Sequence, residues 1–521
     1  MSRRTEPRVL RTESKISSLC TEKMAARTLM IQGTASHVGK SVLVTALCRL
    51  FVRRGIRVAP FKAQNMSNNS FVTPDGKEIG RAQAVQASAC RLAPRSDFNP
   101  VLIKPESEHR AQVVVNGQVA GSLETHDFGR IRRDYWEAVQ EAFARLTAEF
   151  DLVILEGAGS PAEINLRDQD IVNMRMAQMA RAPVLLVGDI DRGGVFAALV
   201  GTLTLLAPEE RRLVKGILIN KLRGNAELLT PGVRMIETQT GVRCLGVLPH
   251  WGDMRVPQED SLGWDSWSDM KPRRPDTLTI GVADIPAISN FTDFEALCRE
   301  PDVHLVRLDG ATNLPLDALI FPGTKNTVQA LHFVKVRGLD QVAKRVVAEG
   351  GRVIGVCGGY QILGRRIRDP YWIESPEREV EGLGLLDVAT SFARKKILIQ
   401  VTGIHRETGC PIEGYQVHMG RTRVGKGVVP LLDVQKPDNS VRWAEGAVSA
   451  DGRVLGTYVH GLFDAPLFRR MFLNRLRTAR GWPPLNVTAA PSLDQELDLL
   501  ADFVQRHVDL AAIDAIIEHG V

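Results

Sequence analysis

The sequence predicts two doubly wound α/β domains in tandem. Short β-rich runs alternate with longer helical patterns from Thr28 to about residue 250, and the alternation resumes at Leu278. The section between, Trp251–Asp276, breaks the rhythm with Asp, Ser, Pro and Trp. Strands separated by helices imply right-handed crossovers and a largely parallel sheet. A chain of 521 residues is long enough for two cores of ordinary size.

In the first series the expected strands are Leu29–Gln32, Arg57–Phe61, Leu152–Leu155, Val184–Val187, Gly216–Ile219 and Cys244–Leu248, with helices over Ser41–Arg54 and Ala82–Leu92. In the second they are Leu278–Ala283, Val303–Leu308, Ala318–Phe321, Arg352–Val356 and Val454–Val459. This divides the chain into a first domain over 27–265, a linker over 266–276, a second domain over 277–485 and a carboxy-terminal segment over 486–521. That last segment patterns as two amphipathic helices, Leu493–Val508 and Leu510–Glu518, packed on the outside. Residues 1–26 read as a disordered extension, with Met24 an alternative start.

Composition excludes several classes. Hydrophobic content of 44% and charged content of 24% belong to an ordinary soluble protein, and no apolar run reaches membrane-spanning length. The seven cysteines lack paired spacing, which argues for a reducing, cytoplasmic setting rather than a disulfide framework or zinc site. Of the formal charge of +6, half lies in residues 1–26, where six Lys/Arg meet three Asp/Glu. The remainder gives no reason to expect nucleic acid as a partner.

Arg352-Val-Ile-Gly-Val-Cys357-Gly-Gly-Tyr-Gln361 ends a β-branched run on a glycine-flanked cysteine, with a helical pattern directly behind it. A nucleophile on a sharp strand-to-helix turn needs small neighbours, and a helix amino terminus favours thiolate. Its base can lie far away in sequence. His460, ending the strand Gly456-Thr-Tyr-Val-His460-Gly, is the candidate, and His418 is the competitor. Oxyanion donors are expected from the N–H of Gly358 and from the Pro322-Gly323-Thr324 loop.

A second site precedes it. Leu29-Met-Ile-Gln-Gly33-Thr34-Ala-Ser-His-Val-Gly39-Lys40-Ser41 is a strand, a glycine loop and a helix start. Its backbone N–H groups suit phosphate oxygens, Lys40 suits the β/γ-phosphates, and the Ser41 hydroxyl suits Mg²⁺. Five residues rather than four separate Gly33 from Gly39, so this is a variant loop. Glu156 ends an apolar strand before Gly-Ala-Gly and is placed to join Ser41 at the metal. Asp189 and Asp191 form another acidic strand end, open to metal, substrate or turn capping alike. Asn220, ending Gly216–Ile219, offers an amide for adenine, and the polar run Phe61–Ser70 offers uncharged groups to a substrate bearing carboxylates and amides.

Gly355-Val-Cys-Gly-Gly-Tyr-Gln361 with Tyr458-Val-His-Gly461 resembles class I glutamine amidotransferase domains of the branch acting on cobyrinic acids. The variant P-loop, Glu156-Gly-Ala-Gly159 and Ile219-Asn220 resemble dethiobiotin-synthetase-like ATP domains. Phe61-Lys-Ala-Gln-Asn-Met-Ser67, Ile288–Phe294 and Pro322-Gly-Thr-Lys-Asn326 look like the cobyric acid synthase family, and the likeness runs from about residue 28 to 508.

The resemblance implies ATP- and glutamine-dependent amidation of four peripheral carboxylates (b, d, e and g) of an adenosylcobyrinic acid a,c-diamide. It gives Cys357 and His460 catalytic roles, Gly323, Gly358 and Gln361 to glutamine and its oxyanion, and Gly33, Thr34, Gly39, Lys40, Ser41 and Asn220 to ATP. Mg²⁺ falls to Ser41 and Glu156; cobalt arrives with the corrinoid, so no transition metal held by the protein is expected. Homo-oligomerisation stays open. Relatives usually carry a carboxylate two residues after the histidine; here Leu462 stands there, so a Cys–His dyad is implied. The alternatives are an a,c-diamide synthase and, from another class, a P-loop partitioning or chaperone-type switch ATPase.

Overall fold

The computed structural model describes residues 26–107, 109–124, 129–252, 256–257, 275–487 and 491–521. Residues 1–25 of the amino-terminal extension and 266–274 of the expected linker lie outside the described residues.

The first sheet has six strands in the order Cys244–Pro249, Val214–Leu222, Val184–Asp189, Arg27–Gly33, Leu152–Glu156 and Val58–Phe61, every pair parallel. Its central strands are buried along almost their whole length because helices cover both faces. Chain direction across the sheet reverses beside Arg27–Gly33, and the P-loop leaves the carboxyl end of that strand, where ligands bind in open α/β sheets.

The second sheet runs Val303–Leu308, Leu278–Ala283, Ala318–Phe321, Arg352–Val356 and Val454–Thr457 in parallel. Two short antiparallel strands, Ala447–Ser449 and Val428–Val429, extend it. Cys357 and His460 follow the neighbouring strands Arg352–Val356 and Val454–Thr457, so the register of one ladder brings them together.

Each domain also carries antiparallel structure that the sequence reading left out. In the first, Val101–Pro105, Arg110–Val115 and Gln118–Glu124 form a meander joined to Gln64–Met66. In the second, Val388–His405 and Pro411–Val424 make a long hairpin. It reaches the first domain: Lys396 pairs with the buried Glu78 at 2.5 Å, and the Gln400 amide donates to Val72 O at 2.8 Å. Lys104 holds the same Glu78 at 2.6 Å. Lys325 and Glu106 add an ion pair of 3.1 Å between the domains.

The carboxy-terminal helices Leu493–His507 and Leu510–His519 are amphipathic, with exposed outer faces that include Leu493 and Leu499. They return to the first domain, where Leu497, Leu500, Ala501, Val504, Ile513 and Ile517 share a core with Leu43, Val44 and Leu47 of the helix Lys40–Arg53. Arg49, fully buried, donates to Asp498 at 2.8 Å across that contact. Amphipathic spacing shows that a helix buries one face, not which domain receives it.

Candidate active site

Cys357 has φ 52° and ψ −107°, outside the regions that ordinary residues favour. The turn is held by Cys357 N–H donating to Thr457 O at 2.8 Å and Gly359 N–H donating to Pro322 O at 3.0 Å. Glycine is required on both sides. A Cβ on Gly355 would meet the Gly359 backbone at 2.6 Å, and one on Gly359 would fall 1.9 Å from Phe321 O. The helix behind, Gly358–Leu363, has only six residues, so its dipole is a small source of positive charge. The main source is His460.

His460 is fully buried and faces the Cys357 thiol. Its Nδ1 lies 2.7 Å from Asp293 Oδ2, and the other carboxylate oxygen, Oδ1, accepts Gly461 N–H at 2.9 Å. Burial alone would lower the imidazole's pKa, but the Asp293 carboxylate and the Cys357 thiol outweigh it and raise it well above the ordinary histidine range. A dyad is therefore not what the chain builds. The carboxylate missing at Leu462 is supplied by Asp293, from the turn Phe291–Phe294 after a different strand. Sequence reasoning missed it because it sought the group beside the histidine. The signal lay in the polar Ser-Asn-Phe-Thr-Asp run after Leu278–Ala283.

The hairpin strand Pro411–Val424 fastens His460 from above. His460 N–H donates to Tyr415 O at 2.8 Å, and the Tyr415 ring stacks on the imidazole at 5.3 Å. The competitor His418 has another fate: it stacks on Tyr458 at 3.6 Å, its Nδ1 lies 2.8 Å from Gly420 O, and burial pushes its pKa down to about 3. It is a neutral packing residue. Gly323 lies against the His460 ring, its Cβ position 3.3 Å from Cε1, and Gly358 packs on Thr324. Gln361 is buried, its carbonyl accepting from Thr327 at 3.0 Å and its amide donating to Tyr458 at 3.2 Å.

At the other site Thr34 N–H donates to Val187 O, fixing the loop to the sheet. Gly33 has no room for a side chain against Val38, and Gly39 adopts φ 101° with Asn220 Nδ2 2.2 Å from its Cβ position. Lys40 curls over the loop, donating to Ala35 O at 2.8 Å and Gly159 O at 3.0 Å. Asn220 donates to Val38 O at 2.9 Å and accepts from Lys221 N–H, so its amide braces the loop.

Glu156 is buried, with Ser41 Oγ at 2.7 Å, Lys62 Nζ at 2.8 Å and Gln86 Nε2 at 2.5 Å. One cation can reach both Ser41 and Glu156, a donor set suited to Mg²⁺ that takes its other ligands from phosphate and water. Lys62 and Gln86 were not singled out from the sequence. Asp189 and Asp191 are instead paired with Lys221 at 2.8 Å and Arg223 at 2.6 Å.

A cavity of about 1710 Å³ opens over the P-loop. That exceeds the roughly 300–1,000 Å³ of a pocket for one small molecule. Residues Gln64–Asn69 line one side, and Ile288, Phe291 and Glu295 of the second domain another.

A phosphate loop whose serine meets a buried carboxylate, joined to a Cys–His–carboxylate site, defines a two-site, nucleotide-dependent glutamine amidotransferase. A CobQ/CobB/MinD/ParA nucleotide-binding domain matches residues 29–260, and a CobB/CobQ-like glutamine amidotransferase domain matches 279–468. A cobyric acid synthase of Dehalococcoides mccartyi is 46% identical over 506 residues, covering 95% of this chain and 99% of the relative. That of Sorangium cellulosum is 46% identical over 517 residues, covering 95% and 99%. The chain belongs to the cobyric acid synthase family.

Proposed function

We propose that this chain amidates four peripheral carboxylates (b, d, e and g) of adenosylcobyrinic acid a,c-diamide, using glutamine as nitrogen donor and ATP as activator. The Cys357 thiolate attacks the side-chain carbonyl of glutamine, and Gly358 and Gly323 offer N–H groups to the oxyanion. Gln361 shapes the glutamine pocket beside them. The His460 imidazolium protonates the departing nitrogen, so ammonia leaves and a thioester remains. His460 then takes a proton from water, which hydrolyses the thioester to glutamate and frees the thiol. Asp293 holds His460 in the tautomer that faces Cys357.

At the other site the loop Gly33–Gly39, braced by Thr34 and Asn220, cradles ATP, and Lys40 neutralises its terminal phosphates. Bound with ATP, Mg²⁺ held by Ser41 and Glu156 would offset charge on the transferring phosphoryl group. A corrinoid carboxylate takes the γ-phosphoryl group, giving an acyl phosphate and ADP. Ammonia attacks the acyl carbon and phosphate departs, leaving the amide. Activation is needed because a carboxylate is a poor electrophile. The free thiols Cys48, Cys90, Cys244, Cys298, Cys357 and Cys410 suit a reducing cytoplasm.

One observation carries this reading. The segment Ile288–Glu295 is the wall between the two sites: Ile288 and Phe291 line the large cavity, while Asn290 and Asp293 touch His460. Ammonia released at Cys357 therefore forms one segment away from the chamber over the P-loop. Mass spectrometry of the a,c-diamide incubated with Mg-ATP and glutamine tests it. Four carboxylate-to-amide conversions support it. Amidation of cobyrinic acid itself at two positions favours the diamide synthase, and no conversion rejects both.

A further inference from the structure

Within that same wall, Asn290 joins the two domains at one side chain. Its backbone is left-handed, with φ 53° and ψ 43°. Its Oδ1 accepts Ser70 N–H from the first domain at 2.9 Å. Its Nδ2 lies 3.3 and 3.4 Å from the two ring nitrogens of His460. Nearly equal distances place the amide nitrogen over the imidazole rather than in its plane, since an in-plane position would collide with Cε1. The amide therefore fixes the ring's rotation, and the Ser70 N–H fixes the amide.

A second set of contacts runs alongside. Phe291 N–H donates to Asn69 Oδ1 at 3.2 Å. The Phe71 ring packs on Tyr415 at 5.0 Å, and Tyr415 stacks on His460. Residues 69–71 thus reach His460 by two routes, and they continue directly from the run Gln64–Asn69 that lines the cavity over the P-loop. A shift of that run on filling the cavity therefore has a contiguous path to the imidazole, through the buried Asn290 and Tyr415 and the half-buried Phe71.

We infer that Asn290 is a positioning residue that couples glutamine hydrolysis to occupancy of the synthetase cavity, by tying the orientation of His460 to the backbone at Ser70. This rests on the function proposed above. The coupling acts on the rate of the thiol chemistry, not on the ATP site, and its expected size is about tenfold.

The test is glutamate release by the full chain, with glutamine alone and with Mg-ATP and cobyrinic acid a,c-diamide added. In the wild type the additions raise kcat about tenfold. Asn290→Gly removes both contacts while tolerating the left-handed backbone. It should bring the two rates within about twofold of each other, leaving the glutamine KM and ammonia-supported amidation unchanged. Three results overturn the inference: no stimulation of the wild type, stimulation of Asn290→Gly equal to the wild type, or a parallel loss of ammonia-supported amidation. Hydrogen exchange on the wild type gives an answer without a variant. The same additions should alter protection at 64–72, 286–294 and 456–463 together, and a change confined to 64–72 overturns the inference. Failure of the wild type to amidate with either nitrogen source rejects the proposed function instead.

Discussion

His460 and Asp293 are 167 residues apart in sequence, yet the imidazole Nδ1 and a carboxylate oxygen lie 2.7 Å apart. The charge of that carboxylate, in a fully buried setting, raises the imidazole's pKa and favours an imidazolium opposite Cys357. Replacing Asp293 with Asn should lower glutaminase kcat/KM by about 10²-fold, because the ring loses both orientation and countercharge. The same change lowers the imidazole's pKa, so the basic limb of the pH–rate profile should move to lower pH. The pairing also bears on stability. A raised pKa in the folded state contributes stability below the ordinary histidine value, lost as pH climbs through the raised one. A basic limb left in place by Asp293→Asn would deny the carboxylate this role.

Cys357→Ala removes the nucleophile while leaving the turn its small side chain. Glutamine-supported amidation should vanish and ammonia-supported amidation persist, read by product mass with each nitrogen source. Loss of both would contradict the division of labour between the domains.

Lys40→Ala should stop ATP-dependent amidation with either nitrogen source. Alkylation of Cys357 by a glutamine-site electrophile should continue at the wild-type rate, because Lys40 lies on the far side of the wall. Product formation at the wild-type level would remove the P-loop from the reaction.

Gly359→Ala places a methyl group 1.9 Å from a backbone carbonyl oxygen, an atom that cannot turn aside. Overpacking of this kind should cost about 3 kcal/mol. The denaturation midpoint of the second domain should fall and glutaminase activity be lost, whereas Ala at the solvent-facing Gly350 or Gly452 would strain only the local backbone. A midpoint unchanged for Gly359→Ala would mean that the elbow has slack.

Glu78→Gln tests the domain interface. Burial by itself would raise the pKa of this carboxyl group, but Lys104 and Lys396 outweigh it and hold it below the usual range. Its contribution to stability is therefore present above the ordinary glutamate pKa and disappears only as pH falls through the depressed value. Removing the carboxylate leaves two ammonium groups in a buried site, at a cost of about 3–5 kcal/mol in urea denaturation. A cost under about 1 kcal/mol would mean that water reaches the pair.

The parallel strands were legible because they are buried on both faces and read as apolar runs, as Leu152–Leu155 does. Cys357 was legible because its turn demands glycines that composition alone does not explain. The long hairpin was not read at all: its first strand, Val388–His405, is largely half-exposed and carries the three charges Arg394-Lys-Lys396 at its middle. There the register shifts between Phe392 and Ile397, and Lys396 turns inward to Glu78. Asp293 and Asn290 were hidden for another reason: they sit in a short turn whose meaning comes only from what folds against it. Asn220 was read as an amide for adenine; its hydrogen bond to the loop was not legible, because it depends on a carbonyl 182 residues away.

The helices Leu493–His507 and Leu510–His519 fill the core beneath the P-loop helix. On a translating ribosome, the second domain is therefore fully synthesised while the first still lacks part of its interior. The nucleotide site is begun first and finished last, and a message truncated after residue 487 would yield a chain equipped to release ammonia but poorly equipped to use it.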